Sequence, residues 1–359
     1  MLEVQALRPV LFAFFAAEPQ KRCEAKDYTK NQGLGARRAV FSCQPGYHPA
    51  MFSYRHAFHA GNHADVLKHT VLIAALQYLT EKDAVLTVID THGGAGLYRL
   101  DGDYAETSGE SADGIFRLLT TKNKTIIKAK ADSKSMAAGV APALQAYLDM
   151  VSSFNTPSSL KVYPGSPFII QRLLRPHDKL KIFELHPTDA KTLAANIAQL
   201  AAGRQIAVLR EDGFEGLKKF IPPVVRRALV LCDPSYEIKS DYARVAAMAG
   251  DALKRFPTGT YACWYPIIPR PEAHDLPRKL KTLATKAGKS WLNASLTVKS
   301  SKITTDKLGE EVRPGLPASG MFIINPPHTL KAAMAAALPQ MVEMLGQDRH
   351  ASFGLESGG

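Results

Sequence analysis

An acid, a proline and an aromatic residue follow directly after an apolar run at residues 228–232. The run predicts a buried strand, and ligands of open α/β sheets bind just beyond the carboxyl ends of the strands. There Asp233 and the Pro234 carbonyl could each accept one N–H of an exocyclic amine, and Tyr236 could stack on a flat nucleobase. The same residue types also favour a turn, so this fragment alone leaves a plain strand-and-turn interpretation open.

A glycine-rich turn follows an earlier apolar run. Residues 84–90 predict a buried strand, and Asp90, Gly93 and Gly96 stand at its end. Such a turn lets the backbone approach a nucleotide-like ligand closely. No Gly-Lys-Ser/Thr follows, which excludes a phosphate-binding P-loop. A nicotinamide dehydrogenase is a poor alternative, because no second strand leads into Asp113, the acid nearest the expected distance.

Two further acids end predicted strands. Glu184 follows residues 180–183 and could accept both ribose hydroxyls of a nucleoside. Asp212 follows a strand at residues 206–209 and could accept from an adenine amine. Between the strand at residues 84–90 and the strand at residues 180–183, Ser166 and Pro167 are expected to be the N-cap and first residue of a helix.

Four histidines occupy a short segment near residue 60: His56, His59, His63 and His69. The segment has no cysteine, its only carboxylate is Asp65, and the spacing does not place three ligands on one helical face, so no metal is predicted. Asn62 is expected to cap a helix that begins at His63. Lys68 and His69 then lie on a flank of that helix that could face a pocket.

Composition narrows the class of protein. The chain is 46% hydrophobic and 22% charged, which fits a globular protein. The net charge of +12 favours polyanionic partners, although solubility alone is also an explanation. The four cysteines form no Cys-x-x-Cys pair, which predicts reduced thiols in a cytoplasmic protein. No apolar run approaches the length needed to span a membrane, so no membrane partner is expected.

These parts together resemble the RlmJ family of bacterial 23S ribosomal RNA adenine-N6 methyltransferases. The resemblance covers about residues 51 to 345. Its distinctive segments are Tyr54-Arg55-His56, residues 61–69, Asp90-Thr91-His92, residues 164–167, residues 184–187, Asp212-Gly213 and Asp233-Pro234.

The resemblance implies a class I methyltransferase fold, a Rossmann-like α/β fold with a mostly parallel seven-stranded sheet and an inserted helical subdomain. It implies S-adenosylmethionine as cosubstrate and 23S ribosomal RNA as partner, protein-free or in an early assembly intermediate, bound by a monomer. Asp233 is then catalytic, together with Pro234 and Tyr236, while Tyr54 and His56 lie in an N-terminal tail that closes over the site. The residues implied at the cofactor are Lys68, His69, His92, Ser166, Glu184, Asp212, Gly213 and Asp233.

The resemblance also predicts the organisation of the chain. Residues 1–50 have no counterpart in the family and are expected to be disordered or a start-site artefact, with Met51 as the true start. Residues 51–345 are the methyltransferase domain, with a polar helical insertion at about 100–160 whose lysines suit RNA, and residues 346–359 are expected to be a loose tail. Asn325-Pro326-Pro327-His328 superficially copies the catalytic motif, but we expect it only to end a strand.

One departure from the family pattern concerns the catalytic segment. Ser235 stands where the family has a second proline, which would hold Pro234 extended. We therefore expect retained chemistry in a less rigid site. A DNA adenine methyltransferase, which shares this motif, and a non-catalytic RNA-binding protein on the same fold remain alternatives.

Overall fold

The structure is a computed structural model, and it describes residues 56–102, 109–120, 139–157, 159–305, 311–312 and 315–359. The predicted extension at residues 1–50, Tyr54, and much of the predicted insertion lie outside these ranges. A 3-10 turn at His56–Phe58 is the first described element, and a π-helical turn at Ala112–Phe116 lies within the insertion.

Helices and strands alternate through the first half of the described chain. In order they are α1 (His63–Glu81), β1 (Thr87–Asp90), β2 (Leu97–Arg99), α2 (Pro142–Ser152), β3 (Val162–Pro164), α3 (Ser166–Leu173), β4 (Lys179–Phe183), α4 (Pro187–Ala198) and β5 (Ile206–Leu209). Of these strands, β2 and β3 form a separate antiparallel pair.

The second half continues the alternation and then turns to antiparallel strands. Its elements are α5 (Gly213–Gly216), β6 (Ala228–Cys232), α6 (Ser240–Arg255), β7 (Thr260–Ile267), α7 (Pro271–Lys286), β8 (Trp291–Thr297), β9 (Thr304–Thr305), β10 (Glu311–Val312), β11 (Ala318–Ile324), α8 (Leu330–Leu345) and β12 (Ser352–Gly358). The short strands β9 and β10 pair only with each other.

The main sheet has the order β12-β8-β11-β7-β6-β1-β4-β5. Strands β5, β4, β1, β6 and β7 are parallel, and β11, β8 and β12 are antiparallel. The chain builds outward from β1 in one direction and then, through β6, in the other, so the strand order reverses between β1 and β6. This is the predicted Rossmann-like α/β fold, and the carboxyl ends of β1 and β6 flank the crevice where such sheets bind ligands.

The prediction of a loose tail at residues 346–359 is wrong, because these residues supply an eighth strand to the main sheet. Strand β12 pairs with β8 along its whole length, from Ser352 opposite Thr297 to Gly358 opposite Trp291. The backbone N–H and C=O groups of β12 that face β8 are thereby paired, which the Gly/Ser-rich composition does not reveal. The sheet therefore has eight strands where the sequence predicts seven.

Two apolar layers cover the sheet. One packs α1, α2, α3 and α8 residues against one face, with Leu67, Leu72 and Phe168 fully buried. The other packs α6 and α7 residues against the opposite face, with Val245 and Leu280 fully buried. The strands between them are nearly continuous apolar runs, as expected where both faces of a parallel sheet are covered.

The motif at residues 325–328 follows the end of β11, as predicted, and does not stand beside Asp233. Ile324 pairs with Tyr261 near the start of β7, whereas Asp233 follows Cys232, which pairs with Cys263 farther along β7. The Asn325 amide donates to the Pro257 and Gly259 carbonyls and so closes a turn.

None of the helices in the described part of the chain combines the length and apolar character needed to cross a bilayer.

Candidate active site

Two carboxylates mark the point where the strand order reverses. Asp90 is the last residue of β1, and Asp233 directly follows the last residue of β6. The two strands are neighbours, with Asp90 opposite Leu231. The sheet thus brings together the two acids that the sequence places at strand ends, 143 positions apart by their numbers (233 − 90).

Asp233 is held by a buried chain of charged groups from the N-terminal segment. The Lys68 ammonium donates to Asp233 Oδ2 at 2.5 Å and also lies 2.8 Å from Asp65 Oδ1. Asp65 Oδ2 accepts from the Gly61 N–H at 2.9 Å and lies 3.1 Å from His56 Nε2. Asp233 Oδ1 has no hydrogen-bond donor among the described residues, so one oxygen remains for a ligand.

The charged groups of this buried row, His56, Asp65, Lys68 and Asp233, stabilise one another. Burial disfavours the Lys68 ammonium, but Asp233 and Asp65 outweigh that effect and raise the pKa of Lys68. Burial likewise opposes ionisation of Asp65, but Lys68 and His56 hold the pKa of its carboxyl well below the usual range. The resemblance implies Lys68 as a cofactor residue. In this structure its ammonium contacts Asp233.

Asp90 sits at the base of the crevice and is fully buried. The Ser166 hydroxyl donates to Asp90 Oδ2 at 2.6 Å, and the His92 N–H donates to Oδ1 at 3.3 Å. Burial raises the pKa of Asp90 to about 6, although both hydrogen bonds act in the opposite direction. The prediction of Ser166 as a helix N-cap is wrong: Ser166 is the first residue of α3, and the N-cap is Gly165. The Ser166 hydroxyl donates to Asp90 instead of capping the helix.

The glycine turn after β1 and the acid after β4 are joined by hydrogen bonds. Glu184 Oε2 accepts from the Gly94 N–H and Oε1 from the His186 N–H, both at 2.7 Å. Burial raises the pKa of Glu184. Gly94 and Gly96 have positive φ, and a Cβ on Gly94 would lie 2.2 Å from the Tyr98 hydroxyl, so this turn requires glycine. The turn and the carboxylate form a cradle at the carboxyl ends of β1 and β4; the Gly94 N–H is engaged by Glu184, whose remaining lone pairs are the groups left for a nucleoside hydroxyl.

His69 is fully buried beside this cradle. Its Nδ1 lies 2.8 Å from the Tyr163 hydroxyl, which in turn lies 3.1 Å from the Tyr147 hydroxyl. Burial lowers the pKa of His69 to about 3, so the ring is neutral at physiological pH. Its Nε2 is buried without a hydrogen-bond partner among the described residues, and a ligand atom would satisfy it.

Asp212 has a structural role that the sequence does not reveal. Its Oδ1 accepts from the N–H groups of Phe214 and Glu215, which caps the short helix α5, and its Oδ2 accepts from Arg244 at 2.5 Å. Burial opposes ionisation, but Arg244 and the cap lower the pKa of Asp212. Contact with an adenine amine must therefore share these oxygens with Arg244 and the backbone.

Gly213 and His92 lie close to Asp212. A Cβ on Gly213 would meet the Thr91 carbonyl oxygen at 2.0 Å, so only glycine fits there. His92 Nδ1 lies 2.8 Å from the Thr91 hydroxyl, and its ring packs edge-on against Phe214 at 4.9 Å. The structure therefore brings both predicted cofactor residues to the carboxyl end of the sheet.

The segment that follows β6, residues 233–236, contains both buried and exposed residues. Pro234 is buried and Ser235 is exposed. Tyr236 has a φ of 55°, and its ring is only 3% exposed, packed against Tyr242 at 4.6 Å and Trp264 at 5.8 Å. Its hydroxyl donates to the Trp264 carbonyl at 2.6 Å, so in this structure the Tyr236 ring is part of the core rather than an open stacking surface.

The four clustered histidines have separate partners. His59 lies 2.9 Å from Glu110, His63 lies 2.9 Å from the Leu316 carbonyl, and His56 and His69 have the partners already described. Within the described ranges, no three His, Cys, Asp or Glu side chains are grouped so that they could hold a metal ion. Sequence reasoning assigned no role to Asp65, Glu110, Arg244 and Trp264, whose positions depend on long-range contacts.

The sequence of this chain is similar to those of known proteins. The family model described as "Ribosomal RNA large subunit methyltransferase D, RlmJ" matches residues 83–354. Ribosomal RNA large subunit methyltransferase J of Escherichia coli K12 is 40% identical over 289 residues, which is 80% of this chain and 92% of that protein. The protein of the same name from Haemophilus influenzae is 36% identical over 307 residues, 85% of this chain and 98% of that protein.

A solved structure supports the same fold. The crystal structure of protein LPL1258 from Legionella pneumophila has a TM-score of 0.67 and 29% identity, and it covers 84% of this chain and 98% of its own. The predictions of a methyltransferase fold, of an enzyme and of S-adenosylmethionine as cosubstrate are confirmed. The match to the family model and to both relatives shows that the chain belongs to the RlmJ family of ribosomal RNA large subunit methyltransferases.

Proposed function

We propose that this chain methylates the N6 amine of an adenine in 23S ribosomal RNA, with S-adenosylmethionine as methyl donor. The observation that carries the proposal is the position of Asp233 and Pro234 at the carboxyl end of β6, beside Asp90 at the point where the strand order reverses. The names of the curated relatives, ribosomal RNA large subunit methyltransferases, support the substrate class.

The amine chemistry requires acceptors at this place. An adenine amine is a weak nucleophile because its lone pair is delocalised into the ring. Asp233 Oδ1 and the Pro234 carbonyl would accept the two N–H groups and aim the lone pair, and the Asp233 carboxylate would receive the one proton that the nitrogen loses as the methyl group is transferred. Positioning and electrostatic stabilisation then supply most of the rate. The base must leave its stack to reach these groups.

The residues around the glycine turn would hold the cosubstrate. S-adenosylmethionine supplies a methyl group on a positively charged sulfur, which makes that methyl electrophilic. Glu184 has lone pairs left for ribose hydroxyls, and the orphan Nε2 of His69 would gain a partner. Asp212 and Gly213 lie at the same carboxyl end of the parallel strands, and so does His92.

The direct experiment is methyl transfer from labelled S-adenosylmethionine to protein-free 23S ribosomal RNA, followed by nucleoside analysis. We expect N6-methyladenosine. Asp233→Asn should lose about 10²–10³ in rate, because the amide offers a donor where the amine needs an acceptor. Label in a different nucleoside, or activity unaffected in Asp233→Asn, would contradict the proposal.

The partner and location are part of the same proposal. We infer a cytoplasmic monomer that acts on protein-free RNA or an early assembly intermediate, supported by the basic charge of the chain. Assembled large subunits and duplex DNA serve as comparison substrates in the same assay. Equal transfer to duplex DNA would favour the DNA alternative, and sedimentation would test the monomer.

A further inference from the structure

Trp264 lies beside Asp233 on the neighbouring strand. Cys232 at the end of β6 is directly opposite Cys263 of β7, and each cysteine is followed by one of these two residues. Because adjacent strands in parallel sheets lie about 5 Å apart, Trp264 and Asp233 come abreast.

The indole of Trp264 contacts the groups that surround the catalytic carboxylate. The Lys68 ammonium, which donates to Asp233, lies 6.0 Å from the centroid of the Trp264 ring. The Tyr236 ring lies 5.8 Å away. Trp264 is only partly buried, whereas the Tyr236 ring is almost wholly enclosed. Of these two aromatic rings, Trp264 is therefore the more accessible to a ligand.

The indole nitrogen of Trp264 has an unmet hydrogen-bonding capacity. Its Nε1 is buried and has no acceptor among the described residues. An N–H that is withdrawn from water without a partner is unfavourable and uncommon in folded proteins. An orphan donor on the residue abreast of Asp233, which with Pro234 offers candidate acceptors of an amine, indicates a ligand that has both kinds of group on one edge.

Adenine has that combination. Its N6 amine donates two hydrogen bonds, and the ring nitrogens N1 and N7 on either side of it accept. We propose that Trp264 is a specificity-determining residue that contacts the target base, with its indole N–H donating to one of these ring nitrogens while Asp233 and Pro234 hold the amine. This inference rests on the proposed function and adds a donor to its two acceptors.

The chain offers a matched control, because it has only two tryptophans. Trp291 is on β8, where its ring stacks on Phe322 at 5.7 Å and lies under the Lys281 ammonium. Trp264→Phe keeps a ring but removes the N–H, and Trp291→Phe makes the same change away from Asp233. We expect Trp264→Phe to lower kcat/KM for RNA about tenfold with unchanged affinity for S-adenosylmethionine, and Trp291→Phe to leave both near native.

A binding measurement separates this inference from the proposed reaction. In Trp291→Phe, Trp264 is the only tryptophan, so quenching of its fluorescence by an RNA fragment spanning the methylated site, with S-adenosylhomocysteine present, reports base contact. The same RNA with an abasic target nucleotide should bind without quenching. RNA binding without any quenching difference would overturn the inference even if methylation occurs. Quenching with a methylated nucleoside other than N6-methyladenosine would overturn the proposed reaction and the adenine-specific hydrogen bond.

Discussion

At the scale of single residues, the site depends on how buried charges are paired. Lys68 is 3% exposed and joins Asp65, which is 1% exposed, to Asp233. An ion of either sign would be costly here alone, whereas the row of alternating charges satisfies each member. The row also links the segment carrying His56 to the carboxylate of Asp233, the candidate catalytic residue.

Replacing Lys68 should therefore be severe. Lys68→Met leaves two carboxylates without their cation, and we expect a loss of about 3–5 kcal/mol in the free energy of unfolding, measured by urea denaturation. The control is Lys239→Met, because Lys239 is 72% exposed and lies 3.9 Å from Glu272. An exposed pair of that kind contributes about 0–1 kcal/mol. Equal effects of the two substitutions would show that the buried row does not stabilise the fold.

Asp90 should make stability depend on pH. Burial raises its pKa in the folded state to about 6, above the ordinary value of 3.8, so the protonated form is favoured in the folded state. That contribution is present below about pH 4 and is lost as pH rises through about 6. We expect the stability of the wild-type protein relative to Asp90→Asn to fall by about 2 kcal/mol between pH 4 and pH 7, measured by urea denaturation.

A neighbouring acid provides the control for this pH effect. Asp83 lies before β1, and its side chain is fully exposed. Measured at the same two pH values, Asp83→Asn should change the unfolding free energy little, because this carboxylate stays in water in the folded chain. A constant difference between wild type and Asp90→Asn across this range would mean that the Asp90 carboxyl is not desolvated as the structure indicates.

At the scale of elements, helix α1 carries the active-site row, so its start has to be fixed. Asn62 Oδ1 accepts from the N–H groups of Ala64 and Asp65, and its amide donates to Glu110 Oε2 at 2.9 Å. The sequence predicts the cap, because capping depends on adjacent residues. It does not predict Glu110, which belongs to the insertion and reaches Asn62 only in the folded chain.

Asn62 can be tested with two substitutions. Asn62→Ala removes the cap and the link to Glu110, and we expect a loss of about 1–2 kcal/mol in unfolding free energy and reduced activity, since Lys68 is in the second turn of α1. Asn62→Ser retains a capping oxygen but loses the amide that donates to Glu110. Because the cap is kept, this variant should recover most of the stability. If both variants match wild type in thermal melting and in methyl transfer, the start of α1 is held by its packing alone.

The same contrast explains which features of the fold and site can be predicted from sequence. Apolar runs and the polar residues that end them are local, so strands β1, β4, β5 and β6 and the acids that follow were predictable. The bond from Lys68 to Asp233 spans 165 positions and that from Ser166 to Asp90 spans 76, and no local pattern encodes either. Strand β12 was missed for a related reason: its Gly/Ser-rich residues become a strand only because β8 offers an unpaired edge.

At the scale of the whole molecule, chemistry and stability occupy different parts of the sheet. The candidate residues that end strands are at the carboxyl ends of β1, β4, β5 and β6, and Lys68 and His69 reach the same region from α1. Strand β12 is at the far edge, and β8, β11 and β7 separate it from β6. A change at that edge should reach Asp233 only through the stability of the fold as a whole.

Removing residues 352–359 tests this separation. The deletion abolishes the β12–β8 ladder but removes limited apolar burial, since Phe353 is 45% exposed and Leu355 is only partly buried, so we expect a loss of about 1–3 kcal/mol in unfolding free energy. Below the melting transition, kcat and the affinity for S-adenosylmethionine should stay near wild type. Because the deletion exposes the β8 edge, monomer content is checked by sedimentation before kinetics. A folded, monomeric deletion variant with a large fall in kcat would show that the sheet transmits strain from its edge to the active site.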